Sequence, residues 1–194
     1  MSKIAVLTND LQHDLVFKNE ERVQAVAEAT PAFAGFLQEM RERGHHVVHL
    51  QLINLPDDPT AERYDGFLPV QKGEPGARIL PAFLDERDLV VEKNKDSGFY
   101  ETDLHERLQA LGVDTVLVTG MQTQICVQTT AADAFFRGYG VWVPADCVVS
   151  AREEDRVRAL EWLAGYCAQV ESSDEILRLL DEEGGLPRKE VKIP

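Results

Sequence analysis

Apolar runs typical of buried strands alternate with segments of helical period along most of the chain. Runs rich in β-branched and other apolar residues predict six strands, at residues 3–8, 46–52, 88–91, 115–119, 140–143 and 168–171. The segments between them predict helices at residues 31–43, 102–111, 125–137, 151–166 and 173–182. Because this alternation favours parallel β-α-β units, it predicts a doubly wound, three-layer α-β-α domain with a Rossmann-like parallel sheet.

The residues at the ends of these segments support several of the helix boundaries. Thr30 before Pro31 is typical of an N-cap followed by the first helical position, and it predicts that a helix starts at residue 31. Glycines after the apolar period predict the ends of the first three helices. The last two helices are predicted to open with capping boxes, Ser150 with Glu153 and Ser172 with Glu175.

Two segments lack a clear period. Residues 54–78 are rich in Pro, Gly and Asp, and loops of this length in compact domains are often functional. We therefore expect this loop to form a lid or part of an oligomer contact. Residues 181–194 begin near a Gly-Gly break, and we expect them to be a tail outside the domain of residues 1–180, either mobile or in contact with a neighbouring subunit.

Composition and charge narrow the class of function. The chain has 194 residues, 44% hydrophobic and 28% charged, with no apolar run approaching the ~20 residues of a membrane span. A formal net charge of −14 argues against nucleic acid and anionic membranes as partners. The opening residues indicate a first strand and not a signal peptide, so we expect a cytoplasmic protein. The three cysteines, without a CxxC spacing, are expected to be reduced thiols.

Three chemically reactive side chains follow predicted strands. Asp10 follows the first strand, Lys93 the third, and Cys126 lies just beyond the fourth. Because active sites of parallel sheets lie at the carboxyl ends of the strands, we expect these groups to converge at one edge. A helix start and the Lys93 cation would lower the pKa of the Cys126 thiol, and Asp10 would accept its proton and later return it to an amine.

Backbone N–H groups in the turn before the thiol complete this chemistry. Those of Gln122 and Cys126 are expected to form an oxyanion hole for a tetrahedral intermediate. The predicted reaction is therefore acyl transfer from an amide or ureide to water through a thioester. The side-chain candidates for substrate contact are Phe17, Tyr64, Phe99 and Gln122, although aromatic residues near strand ends are more often core residues.

Several segments together resemble the isochorismatase-like cysteine hydrolase superfamily. They are NDLQHD at residues 9–14, GEPGARILP at 73–81, VVEKNKDSGFYETDL at 90–104, GMQTQICVQTTAADAFFRGYGVWVPADCV at 120–148 and ESSDEIL at 171–177. The resemblance implies a six-stranded sheet of order 3-2-1-4-5-6 and a catalytic triad of Asp10, Lys93 and Cys126. It also implies a cis peptide between Met121 and Gln122, and a homo-oligomer, either a dimer or a tetramer.

Departures from the family's patterns bear on the choice of reaction. Nicotinamidases of this superfamily hold a metal through a DxHPxxH-like motif, whereas NLPDDPTAERYDG at residues 54–66 has no histidine. True isochorismatases of this superfamily cleave a vinyl ether and lack the nucleophilic cysteine, so the presence of Cys126 argues against that reaction. We therefore expect a cysteine-dependent hydrolase of a small C–N amide, ureide or carbamoyl substrate, without metal or cofactor. The alternatives are a nicotinamidase-type amidase and a redox-sensing or binding member of the fold.

Other reactive residues have simpler interpretations. Cys147 and Cys167 are expected to be buried structural thiols, and Lys95 is a rival to Lys93 that we expect to face solvent or substrate. Histidines cluster at the start of the second strand but lack matching carboxylates, so we do not expect them to bind metal: His45, His46 and His49.

Overall fold

The computed structural model describes residues 3–59 and 68–188. The strands are β1 (Ile4–Asn9), β2 (His46–Leu52), β3 (Leu89–Lys93), β4 (Thr115–Met121), β5 (Gly140–Pro144), β6 (Val148–Val149) and β7 (Gln169–Glu171). The helices are α1 (His13–Val16), α2 (Glu20–Glu42), α3 (Leu104–Ala110), α4 (Gln128–Phe136), α5 (Glu153–Tyr166) and α6 (Ser173–Glu183). None of the helices in these ranges has both the length and the apolar composition to cross a bilayer.

All the strand pairs of the sheet are parallel, and the strand order is β3-β2-β1-β4-β5-β7. With β7 as the sixth predicted strand, the expected order 3-2-1-4-5-6 and the α/β class are confirmed. The additional strand β6 pairs with the end of β4. It was not predicted because two residues are too few to show a period.

Each face of the sheet is covered by helices. Alternate residues of β1 enter different clusters, Ala5 and Leu7 on one face and Ile4 and Val6 on the other. The first face packs against α3, α4 and α5, and the second against α2 and α6. Because both faces are buried, the central strands β1 and β4 are mainly apolar on both faces, as the sequence pattern indicated.

The first long helix starts eleven positions before the predicted residue 31, at Glu20. The side chain of Asn19 accepts a hydrogen bond from the Arg22 N–H at 3.0 Å, which caps this earlier start. Pro31 therefore lies inside the helix, at a cost of about 3 kcal/mol. The buried apolar face of α2 outweighs that cost, contributed by Val26, Phe33, Phe36, Leu37 and Met40.

The two predicted capping boxes have different outcomes. The Ser172 side chain accepts a hydrogen bond from the Glu175 N–H, so the start of α6 is confirmed. Ser150 does not cap α5, because its hydroxyl donates to Gln124 Oε1 at 2.8 Å. The N-cap position of α5 is Arg152, without a side-chain capping bond. Ser150 instead attaches the segment after β6 to the turn after β4.

The described part of the predicted tail packs on the domain. Helix α6 continues to Glu183 and ends at Gly184 in a left-handed conformation. Leu186 is buried, and the indole N–H of Trp142 donates to the Pro187 carbonyl at 3.1 Å. Residues 189–194, and residues 60–67 of the predicted lid, lie outside the described ranges.

Candidate active site

The strand register brings the three predicted catalytic residues to one edge of the sheet. At this edge Asn9 of β1 is level with Gly120 of β4, and the last residue of β2 is level with Lys93. Asp10 follows β1 directly, Lys93 ends β3, and Cys126 lies in the turn after β4. The three strands therefore deliver a carboxylate, an ammonium and a thiol to the same place.

Gly120 allows β1 and β4 to approach closely beside this site. A Cβ atom on Gly120 would lie 2.2 Å from the backbone oxygen of Asn9, and the residue has φ of +98°. Both observations require glycine here. Asp10 itself has φ of +57°, a conformation that aspartate tolerates better than most residues, and its N–H donates to the Leu50 carbonyl at 3.2 Å.

Lys93 is fully buried, and the geometry matches a charged ammonium. Its Nζ lies 2.9 Å from Oδ1 and 3.2 Å from Oδ2 of Asp10. The same nitrogen donates to the backbone carbonyls of Lys95 and Asp96, each at 3.2 Å. An ammonium has three N–H donors, so one carboxylate and two carbonyls use all of them.

Cys126 lies in a π-helical turn, Thr123–Val127, that leads into α4. The carbonyl of Gln122 accepts hydrogen bonds from the N–H groups on both sides of the cysteine, those of Ile125 at 3.0 Å and Val127 at 3.3 Å. The Cys126 side chain is buried, with 6% of the residue exposed, and its S–H is 3.7 Å from Oδ1 of Asp96. The peptide bond between Met121 and Gln122 is cis, as the resemblance implies.

The pKa directions define the resting charge state of the site. Burial raises the pKa of the Cys126 thiol well above its ordinary value, and the nearby Asp10 raises it further, more than Lys93 lowers it. The expectation of a lowered thiol pKa is therefore wrong for the resting protein, because it neglected burial and the second charge. The thiol is protonated and needs a base.

The other two groups suit that requirement. Burial raises the pKa of Asp10, although Lys93 and the Cys126 hydrogen bond act in the opposite direction. Burial acts to lower the pKa of Lys93, but Asp10, Cys126 and Asp96 together raise it above 10.5. A carboxylate with a raised pKa beside a permanent cation is a stronger base than an ordinary aspartate and can both accept and return a proton.

Two residues at the site were not predicted, Asp96 and Thr130. Asp96 follows Lys93 by three positions and holds its carboxylate near the thiol. The Thr130 hydroxyl accepts from the Gly98 N–H at 3.0 Å and donates to Asn9 Oδ1 at 3.2 Å, so it joins α4, β1 and the loop after β3. The spacing of four between Cys126 and Thr130 places both on one helix face, and this was the available signal.

The candidates for substrate contact are spread more widely. Gln122 adjoins the site, with its Oε1 accepting from the Ala151 N–H at 3.0 Å. Its Nε2 is buried and has no partner among the described residues. Phe17 is 55% exposed at the end of α1, whereas Phe99 is 3% exposed and packs on Tyr139 in the core. Tyr64 lies outside the described residues.

The rival residues have structural partners. Lys95 forms an ion pair with Asp58. Cys147 and Cys167 are both buried in the core. His49 is hydrogen-bonded on both sides, with Nδ1 2.6 Å from Thr8 Oγ1 and Nε2 2.9 Å from Asp88 Oδ2. Within residues 3–59 and 68–188, no group of three or more His, Cys, Asp and Glu side chains is arranged to hold a metal ion.

Comparison with known proteins identifies the family. The model of the isochorismatase domain matches residues 4–175. The chain belongs to the isochorismatase family. Among the solved structures of this family's fold, an N-carbamoylsarcosine amidase from Thermoplasma acidophilum superposes with a TM-score of 0.77 at 29% identity, over 89% of this chain and 97% of that one.

Curated relatives of this isochorismatase-family chain include enzymes named for amide substrates. A streptothricin hydrolase from Streptomyces noursei is 34% identical over 145 residues, 73% of this chain and 48% of the relative. Nicotinamidase 3 from Arabidopsis thaliana is 38% identical over 93 residues, 48% of this chain and 47% of the relative. The chain thus spans about half the length of these curated relatives.

Proposed function

We propose that this protein is a cysteine-dependent hydrolase of small C–N amide, ureide or carbamoyl compounds. The observation that carries the proposal is the buried meeting of Asp10, Lys93 and Cys126 at the carboxyl edge of the sheet. A thiol, a carboxylate of raised pKa and a fixed ammonium are the groups that acyl transfer through a thioester requires.

In the first half of the proposed reaction, the thiol proton passes to Asp10 as Sγ of Cys126 bonds to the substrate carbonyl carbon. The carbonyl oxygen gains the negative charge and is stabilised by the backbone N–H groups of Gln122 and Cys126. The C–N bond then breaks, and Asp10 gives its proton to the departing nitrogen. Ammonia or an amine leaves, and the acyl group remains on sulfur as a thioester.

In the second half, Asp10 takes a proton from water as the water oxygen attacks the thioester carbon. The C–S bond breaks, the proton returns to sulfur, and the acid product leaves. Lys93 stays protonated throughout, because its three donors are held by Asp10 and two backbone carbonyls. Its role is to hold Asp10 in place and to keep a charged carboxylate tolerable in a buried site.

The names of the relatives support amide chemistry and leave the substrate open. An N-carbamoylsarcosine amidase, a streptothricin hydrolase and a nicotinamidase act on different compounds by their names. A nicotinamidase-type activity is therefore the second candidate. The buried Cys126 and Cys147, which form no disulfide within the described residues, suit the reducing cytoplasm, which we propose as the setting. The predicted homo-oligomer remains a prediction.

Ammonia release from a panel of small amides, ureides, carbamoyl amino acids and nicotinamide tests the proposal. We expect release from at least one compound by the wild type and a loss of about a thousandfold or more in Cys126→Ser and Asp10→Asn. Cys147→Ser is the matched control, because Cys147 is equally buried and lies outside the site. Release that persists in Cys126→Ser would contradict the proposed mechanism. The absence of release across the panel would favour the binding or redox-sensing alternative.

A further inference from the structure

Asp96 places a second carboxylate beside the nucleophile. It lies in the loop after β3, and unlike Asp10 and Lys93 its side chain is exposed. Its Oδ1 is nevertheless 3.7 Å from Sγ of Cys126. An exposed group this close to a buried nucleophile lies where a substrate must pass and bind.

The backbone around Asp96 is fixed by the catalytic residues themselves. Its carbonyl accepts from Lys93 Nζ at 3.2 Å, and the N–H of Gly98, two residues further on, donates to the Thr130 hydroxyl at 3.0 Å. The next residue, Ser97, donates through its hydroxyl to Asp133 Oδ2 at 2.7 Å. The backbone that carries the Asp96 carboxylate is therefore fixed before a substrate arrives, which reduces the entropy lost on binding.

The charges at this point favour a cation. The groups near the thiol include two carboxylates, those of Asp10 and Asp96, but only one ammonium, that of Lys93. Lys95, the nearest further cation in sequence, is engaged with Asp58, and in the described ranges no lysine, arginine or histidine forms an ion pair with Asp96. The site therefore carries an excess negative charge, on a chain whose formal net charge is −14. Such a field attracts cationic ligands and repels anionic ones.

The distances restrict where the cation would be on the substrate. A carbonyl carbon ready for attack lies about 3–3.5 Å from Sγ. A nitrogen two bonds from that carbon, as in an α-amine, can then reach Asp96 at the ~2.7–2.9 Å of a charge-assisted hydrogen bond. We infer that Asp96 is a specificity-determining residue that binds a protonated amine or amidine next to the scissile carbonyl. This inference rests on the proposed function and narrows its substrate class to cationic amides.

Three amides of the same shape and different charge test this inference. Alaninamide carries an α-amine that is mainly protonated at pH about 7. Isobutyramide has a methyl group in its place, and methylmalonamate has a carboxylate. We expect kcat/KM for ammonia release to fall in that order. In Asp96→Asn, the ratio of kcat/KM for alaninamide to that for isobutyramide should drop about tenfold or more, and the ratio for methylmalonamate to that for isobutyramide should rise.

Two further variants make the result specific. Asp96→Glu keeps the charge and should keep the preference for alaninamide. Glu92→Gln removes the same charge from an exposed residue on β3 that pairs with Lys72, and it should not change kcat/KM for any of the three amides. These variants separate a local contact from a general effect of net charge.

The outcomes separate this inference from the proposed function. Isobutyramide turnover that requires Cys126, with the same ratios of kcat/KM among the three amides in wild type and Asp96→Asn, would overturn the role of Asp96 alone. An equal fall for all three amides in Asp96→Asn, with a shifted pH profile, would also overturn it and would make Asp96 a partner of the thiol. No release from any amide, or release that persists in Cys126→Ser, would overturn both.

Discussion

Replacing Lys93 by methionine removes the ammonium while keeping a side chain of similar length. The side chain of Lys93 is fully buried and that of its partner Asp10 is 4% exposed. Breaking a buried ion pair by removing one partner typically costs about 3–5 kcal/mol, because the remaining charge has neither water nor a counter-ion. The carbonyls of Lys95 and Asp96 also lose their shared donor. We therefore expect Lys93→Met to lower the free energy of unfolding by at least about 3 kcal/mol.

This loss should depend on pH in a defined direction. Without the cation, Asp10 has a folded pKa raised further above its unfolded value of about 3.8. A carboxyl with a raised folded pKa loses stability as the pH rises above the unfolded pKa. The wild type shares this loss up to its own folded pKa of Asp10, so the difference in unfolding free energy between wild type and Lys93→Met should grow as the pH rises above that pKa. In the same range the protonated Asp10 cannot accept the thiol proton, so ammonia release should fall about a hundredfold or more.

Urea unfolding monitored by circular dichroism at several pH values measures the effect. Lys72→Met is the matched control, because Lys72 is 71% exposed and pairs with Glu92 on the surface. Its cost should stay below about 1 kcal/mol. The reasoning would be refuted by a Lys93→Met protein as stable as the Lys72→Met control at pH 8. It would also be refuted by a destabilisation that does not change with pH.

Three more results are expected. Gly120→Ala should lower the free energy of unfolding by about 3 kcal/mol or more, measured by thermal or urea unfolding, because its Cβ would overlap the backbone of Asn9. In the control Gly35→Ala, in α2, the new Cβ meets no atom within 4 Å and should stabilise the protein by up to about 1 kcal/mol. Equal effects of the two substitutions would contradict this account of Gly120. Asp88→Asn should cost about 3–5 kcal/mol at pH 7, since Arg41 keeps a buried charge without its partner. Burial raises the pKa of Asp88, but hydrogen bonds from His49 and Arg41 bring it below 3.8, so this contribution should be complete above pH about 4 and lost in stronger acid. A wild-type advantage that does not shrink as the pH falls below about 3.8 would contradict that assignment. In a plot of kcat/KM for ammonia release against pH, the value should rise as Asp10 deprotonates, with a midpoint clearly above pH 3.8. It should then stay high up to the alkaline range in which Lys93 deprotonates. A midpoint near 3.8 would contradict the role of Asp10 as the base.

The hydrophobic periodicity of the sequence was sufficient to predict the sheet but not the residue at which α2 starts. The central strands are apolar on both faces, so their positions and parallel order could be predicted from the pattern. The start of α2 could not, because Thr30 and Pro31 together carry a strong local start signal. That signal was overridden by the Asn19 cap and by the buried face of the helix. Tertiary packing decided between two plausible starts.

At the site, likewise, the positions of the catalytic residues could be predicted from the sequence, whereas their pKa values and contacts could not. The positions of Asp10, Lys93 and Cys126 at strand ends follow from the topology alone. The raised pKa of the thiol does not, because it depends on burial and on the balance between Asp10 and Lys93. The approach of Asp96 to the thiol depends on how the loop after β3 folds back, where Lys93 donates to the Asp96 carbonyl and Thr130 accepts from the Gly98 N–H. Such contacts between distant segments have no local sequence signal.

Intact-protein mass spectrometry during turnover tests the central claim most directly. The protein is mixed with an amide that releases ammonia, quenched with acid within the first turnovers, and digested to locate any added mass. We expect an increase equal to the substrate minus ammonia on the peptide that contains Cys126. The adduct should be present in wild type and in Cys147→Ser and absent in Cys126→Ala. Ammonia release by Cys126→Ala at the wild-type rate, without an adduct in either protein, would contradict the account.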